Sequence, residues 1–442
     1  MPDARVKDSI EDFRSLRFAP IWREFSREHF SFWMICGYLV IEYVRPQSII
    51  PALDILPWGK TFLVLSLVGW MSQPRRSWVS DSANIWLTLF LGVILLSSAL
   101  AVYPAVSWAH WFDFIGWFIV YFLIINIVNT PQRFFIFLGI FLLASFKLSF
   151  FGARTWALRG FTFTTWGLMG PSGHFQNSGE LALQMLMFAP ISYFLVHFFR
   201  PTVSKFKYFV LILVPITAVF TVIGAGSRGA QLAMVFQAFR AMTKGKLSFK
   251  KLVLVAVVGI AAYALVPEQM LARFQSAGED QTSQQRLLYW KGGLEMIEEH
   301  PALGVGFYNF APYFTEHYPQ DLLFGAAQLP HNIFVQVGTD VGIIGLLIFL
   351  AILLRNFRVC MAVEKLAPAD DPFGRFARAV AAGLSVALWG FILAGQFVTV
   401  AYYPFLWINL AMSVALLNIT RKQVALRDQQ AAVPARIVTA GR

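Results

Sequence analysis

Charge is scarce in this chain: charged residues are 14% of its 442 positions, where a soluble domain carries about 25%. With 57% hydrophobic residues, too little polar surface remains to cover a water-soluble globule. That excludes a soluble enzyme and a disordered chain. Cysteine is nearly missing as well. Cys36 lies in an apolar run and Cys360 beside a basic stretch, so no disulfide framework exists for a secreted scaffold. The first thirty residues lack a cleavable signal pattern, and the first apolar run is expected to act as an uncleaved anchor. Ligand spacings are absent too. There is no His-x-x-x-His and no Cys-x-x-Cys to support a metal. No Gly-x-x-x-x-Gly-Lys-Ser/Thr loop and no Gly-x-Ser-x-Gly elbow occur, and Gly304-Val305-Gly306 alone is a very weak nucleotide signal. No cofactor is expected.

What is present is apolar length. Measured against the ~20 residues a helix needs to span hydrocarbon, twelve segments qualify as spans, several of them short. They fall near residues 31–45, 61–74, 85–103, 112–129, 134–152, 180–198, 208–226, 229–243, 252–267, 333–354, 377–399 and 403–420. The expected architecture is an all-α polytopic membrane protein of about twelve transmembrane helices. Sorting the intervening Lys and Arg by side gives 27 against 8, with Lys147 inside a span. Such an imbalance matches the positive-inside rule for an even number of spans with both termini cytoplasmic. The net charge of +12 thus reads as topology and not as a nucleic-acid surface. Residues 1–30 form a cytoplasmic segment, and apolar positions at helical spacing across 9–29 predict an interfacial helix there. Spans 1–9 follow over 31–267, then an outward loop at 268–332, spans 10–12 over 333–420, and a cytoplasmic tail at 421–442. Within the long loop a helical pattern covers Gln284–Glu299 and closes at His300-Pro301.

Arginines on the outward side are not required by the charge rule, and the arginine fork suits phosphate oxygens. Arg228 sits in a tight turn, Gly224-Ala225-Gly226-Ser227-Arg228. It lies 16 residues before Lys244, roughly 24 Å of helix, which places it below the outer surface of a hydrocarbon layer about 30 Å thick. A cation at that depth lines a cavity, meets an anion, or snorkels to headgroups. Arg286 opens a helical stretch that carries Trp290 and Lys291; the simpler reading pairs it with a nearby acid such as Glu295. Arg154 and Arg159 flank Trp156 just beyond a span, where interfacial anchoring explains them almost as well. His331, in Pro330-His331-Asn332, starts an apolar helix at the outer surface and can serve as a general base near neutral pH. Otherwise it is a helix-entry residue bonded to local backbone. His174 is a weaker candidate. Several arginines, one base, many aromatics and no metal suit a lipid-linked diphosphate donor attacked by an alcohol. The arginines would offset charge growing on the leaving group, and the histidine would take the hydroxyl proton.

The turn Gly226-Ser227-Arg228-Gly229-Ala230 resembles that of the O-antigen ligase and polymerase superfamily. So does the series Arg286, Trp290, Met296-Ile297, His300-Pro301, Gly304-Val305-Gly306, Asn309, then Pro330-His331-Asn332, Gly342 and Gly345. The earlier Gly170…Gly173-His174-Phe175-Gln176-Asn177 is similar to the family's Gly…Phe…Asn segment after the fifth span, departing at His174 beside Phe175 and Gln176, where the family pattern is looser. The resemblance covers about residues 150–350. It implies an inner-membrane glycosyltransferase of the GT-C type with a periplasmic active site, using an undecaprenyl-diphosphate-linked glycan. His331 would be the base, and Arg228 and Arg286, with Arg154 or Arg159, would bind the diphosphate. Asn332 and Trp290 would support them, and inversion would follow from metal-free displacement. Twelve spans, one large outward loop and no appended soluble domain look most like the ligase, whose acceptor is lipid A–core. Alternatives are a polymerase acting on a second lipid-linked repeat and a protein O-oligosaccharyltransferase. A transporter of lipid-linked glycan is the contrasting class, but transporters gather ionisable groups near the bilayer midplane. Partners are thus the lipid-linked donor, the lipid A–core acceptor and membrane lipids, with no nucleic acid.

Overall fold

The computed structural model describes residues 10–74, 76, 78–164, 166–244, 278 and 280–432. It is all-helical, with no strand among the described residues. Two short helices, α1 (Ile10–Phe13) and α2 (Phe18–Ser26), lead into α3 (Phe30–Val44), α4 (Pro46–Ile49) and α5 (Trp58–Met71). Then come α6 (Ser82–Ala99), α7 (Pro104–Ala109), α8 (Trp111–Ile127), α9 (Pro131–Leu158), α10 (Ser178–Phe199), α11 (Lys205–Ala225) and α12 (Arg228–Thr243). After the undescribed stretch follow α13 (Gln281–Glu299), α14 (Phe310–His317), α15 (Ile333–Leu366), α16 (Pro372–Ala394) and α17 (Pro404–Ala432).

Eleven of the twelve apolar segments coincide with helices; the segment at 252–267 lies outside the described residues. Among the described residues, seven helical stretches are long and apolar enough to cross a membrane: α6, α7–α8 together, α9, α10, α11, α15 and α16. At 14–16 residues, α3, α5 and α12 reach only about 21–24 Å at 1.5 Å per residue, short of the hydrocarbon thickness.

Three details differ from the sequence pattern. The helix expected across 9–29 is broken, because Leu16 takes a left-handed conformation (φ 49°). Ile10 and Phe13 on the first piece are buried, while Phe18 and Trp22 on the second are exposed and stacked 5.8 Å apart. The helix starting at Ile333 runs past the expected end at 354 to Leu366, so Cys360 is buried within it. That helix is also interrupted near its start, where Gly342 leaves helical geometry (φ 68°, ψ −171°). The interruption has a contact cause. Residues 301–305 dock into the gap, with Ile343 N–H donating to Pro301 O and Val305 N–H to Thr339 O, each at 2.8 Å.

The core is aromatic. Phe90 of α6, Phe114 of α8, Phe349 of α15 and Trp407 of α17 meet at centroid distances of 5.0–6.4 Å, the range of favourable edge and offset contacts. A polar tie crosses the bundle nearby: buried Gln237 of α12 donates to Leu186 O of α10 (2.9 Å) and Val386 O of α16 (3.0 Å). At one end the helices are laced by ion pairs, Arg355–Asp81 (2.7 Å), Lys244–Glu364 (2.5 Å) and Arg133–Glu28 (2.6 Å). The opposite end carries the starts of α12, α13 and α15 and the segment 395–403 after α16. The candidate site lies there.

Candidate functional site

Arg228 is positioned by a glycine turn. Helix α11 ends at Gly226 in the left-handed region (φ 69°), with its N–H bonded to Ile223 O, a conformation glycine adopts without a Cβ penalty. The chain then reverses tightly, and α12 begins at Arg228. Its Nη2 donates to Asp280 Oδ2 (2.9 Å) and Ser283 Oγ (3.0 Å). Asp280 is itself the N-cap of α13, accepting from Ser283 N–H at 3.0 Å. Partial desolvation pushes its carboxyl up, but the hydrogen bonds from Ser283 and Arg228 outweigh that and hold it at about 2. One acid thus starts a helix and fixes an arginine.

Ser283, Arg286 and Trp290 follow at i+3 and i+4 intervals, so α13 presents them on one face. Arg286 does not pair with Glu295; Lys291 faces that acid instead, at 3.9 Å. The Arg286 Nε is buried without a hydrogen-bond partner. Its pKa is lowered first by burial and then by the charge of Arg228, with Asp280 pulling the other way. Two like charges therefore stand close together with one carboxylate near them. Trp290 Nε1 donates to Pro330 O at 3.0 Å, so it acts on the residue preceding the histidine.

His331 has a left-handed backbone (φ 52°), a costly state for a residue with a Cβ. The surroundings impose it: its N–H donates to Thr399 Oγ1 (2.8 Å), and the next residues are tied to the segment after α16. Asn332 caps α15 by accepting from Phe334 and Val335 N–H (2.9 and 3.3 Å), and its Nδ2 donates to Gln396 Oε1 at 3.2 Å. Ile333 N–H donates to Gly395 O at 2.8 Å. The His331 Nε2 lies 3.3 Å from Gln328 Oε1, which leaves Nδ1 with the free lone pair when Nε2 carries the proton. Burial, then the charge of Arg286, lowers its pKa to about 4. The imidazole is neutral at pH 7.

Arg228, Arg286, His331, Trp290 and Asn332 are brought together. Arg154 and Arg159 are not among their contacts. Arg154 is exposed on α9, and Arg159, the C-cap of α9, lines a separate cleft. His174 belongs to another group: its Nε2 lies 3.4 Å from Glu42 Oε1, and its ring packs on Tyr403 and Trp117 at 4.8 and 5.5 Å. Burial and then Arg45 lower its pKa to about 4. Sequence reading missed Asp280, Ser283, Gln328, Gln396 and Thr399. The cap position of Asp280, three residues before Ser283, was a local signal for the first two. Thr399 and Gln396 carry none, because they act across more than sixty residues of chain.

The arrangement presents guanidinium groups and a neutral imidazole at one end of a helical bundle, a setting for an anionic group beside a proton acceptor. Residues 209–350 match the family model described as O-antigen ligase, a span that runs from α11 into α15 and contains both arginines and the histidine. A comparison with curated proteins returns no match. That match, in a helical chain with several stretches apolar enough to cross a membrane, supports membership of the O-antigen ligase and polymerase family.

Proposed function

We propose that the protein is an O-antigen ligase, transferring a glycan from undecaprenyl diphosphate to a sugar hydroxyl of lipid A–core. The observation that carries this reading is the grouping of Arg228, Asp280, Arg286 and His331. Arg286 offers a partly buried guanidinium with an unpartnered Nε. Arg228 is held by Asp280 and Ser283 through Nη2, which fixes its guanidinium beside Arg286. Together they would hold the diphosphate and offset the negative charge that develops as the anomeric C–O bond breaks. His331, neutral at pH 7, would accept the proton of the acceptor hydroxyl while that oxygen attacks the anomeric carbon from the opposite face. Direct displacement of this kind inverts the centre.

Trp290 and Asn332 are positioning residues in this scheme, fixing Pro330 and the start of α15 on either side of the histidine. The arrangement in the membrane is part of the proposal: twelve spans in a GT-C-type bundle in the inner membrane, both termini cytoplasmic, and the site facing the periplasm. The 27-to-8 division of cations supports that orientation.

Reconstitution of the purified protein with undecaprenyl-diphosphate-linked glycan, with and without lipid A–core, tests the reading. Transfer that requires lipid A–core is expected. Lengthening of the lipid-linked glycan without that acceptor would make the protein a polymerase.

A further inference from the structure

Lys147, Phe151, Thr155 and Arg159 follow at four-residue intervals along α9, which places them in one stripe on the helix surface. The stripe lines a cleft of about 330 Å³, within the size range of small-ligand pockets. The opposite walls are Ile49 of α4 and residues 168–171. Among the described residues its charged lining is the two cations, and no carboxylate lines it. Lys147 Nζ donates to Val44 O at 3.0 Å, at the end of α3, and an ammonium has two further donors. Among the described residues neither cation has an acidic partner within ion-pair distance. A cation so placed beside apolar helices is costly unless an anion meets it.

The mouth of the cleft is apolar. Phe151 is 53% exposed and Met169 62% exposed, so the outer rim suits hydrocarbon chains. The two cations are twelve residues apart, about 18 Å along the helix at 1.5 Å per residue. At that spacing, two phosphates set apart on one headgroup match the two cations better than a single phosphate does. The cleft also backs onto the donor turn, since Leu168 on its wall packs against Gly224 of the Gly224-Ala225-Gly226 run before Arg228.

We propose that this cleft is a second lipid site, seating a headgroup with two phosphates whose acyl chains leave past Phe151 and Met169. Resting on the transfer reading above, the occupant is the acceptor's lipid anchor, with Lys147 and Arg159 each holding one phosphate. Binding can be read without any donor, so the outcome is separate from that of the transfer assay. Native mass spectrometry of the purified full chain would compare diphosphoryl lipid A with its monophosphoryl form. The wild type is expected to hold the diphosphoryl lipid roughly tenfold more tightly, about 1.4 kcal/mol. Lys147→Met and Arg159→Gln should each remove that preference, and Lys147→Arg should keep it. Should Lys147→Met fail to fold, Arg159→Gln at its exposed position carries the test alone. Equal binding of the two lipids, or an unchanged preference in the variants, would overturn the proposal. So would displacement of the lipid by millimolar inorganic phosphate, which would assign the cleft to a soluble anion.

Discussion

His331 combines a strained backbone, a neutral ring and a guanidinium neighbour, and each has a measurable consequence. His331→Ala should lower transfer by about 10²–10⁴-fold, the range for a general base, with an unchanged elution profile and melting temperature. The pH dependence follows from the sign of the shift. A histidine lowered to about 4 by burial and Arg286 stays an unprotonated base down to that pH. The acid limb of kcat/KM, which reports the free enzyme, should therefore fall near pH 4. Bound diphosphate would cancel part of the Arg286 field and raise the histidine, so the limb in kcat should lie at higher pH. Coincident limbs in the two profiles would remove that coupling. Arg228 separates geometry from charge. It bonds Asp280 and Ser283 through Nη2, and lysine lacks the planar fork that suits phosphate oxygens. Arg228→Lys should raise the donor KM about tenfold and leave the acceptor KM unchanged; wild-type kinetics in that variant would mean that net charge suffices.

At the scale of elements, residues 301–305 are locked to α15 by two glycines. Gly304 has φ +68°, and a Cβ there would lie 2.1 Å from Thr339 O; at Gly342, also φ +68°, it would lie 2.4 Å from Ala302 backbone. These close approaches let residues 301–305 enter the break in α15, and the start of α15 carries Asn332 and His331. Gly304→Ala should cost about 1–3 kcal/mol through the strained conformation, and more if the segment undocks. Gly325→Ala, where nothing lies within 4 Å, is the matched control. A thermal melt of the two variants checks this: equal midpoints would show that the glycine contact is dispensable. Gly304 and Gly342 thus serve as a docking device between residues 301–305 and α15.

For the whole molecule, the division of charge makes an orientation testable. The ion pairs Arg355–Asp81, Lys244–Glu364 and Arg133–Glu28 gather at one end, and His331 and the starts of α12 and α13 lie at the other. Both native cysteines are buried, so single engineered cysteines can be read against a low background. A membrane-impermeant maleimide applied to spheroplasts should label Gln328→Cys and spare Arg427→Cys. The reverse pattern would place the site on the cytoplasmic side and remove the periplasmic reading. Among the described residues, seven helical stretches meet the length and hydropathy needed to span by themselves. The shorter α3, α5 and α12 are held against longer neighbours, so their backbone groups are satisfied inside the bundle and their reach is set by packing.

Helical class, the position of eleven apolar segments and the candidates Arg228, Arg286 and His331 were legible in the sequence alone. Those properties are local: a run of apolar residues must satisfy its backbone internally in lipid, and a glycine turn or a capping acid acts within a few positions. Their partners came from packing between distant segments. That Asp280 holds Arg228, that Thr399 and Gln396 set His331 and Asn332, and that Arg159 faces a different cleft from Arg286 depend on contacts between segments far apart in the chain. Arginine on an outward face is compatible with several such contacts, and its spacing within one helix does not choose among them. Packing does, because each partner is selected by which helix ends meet at the same end of the bundle.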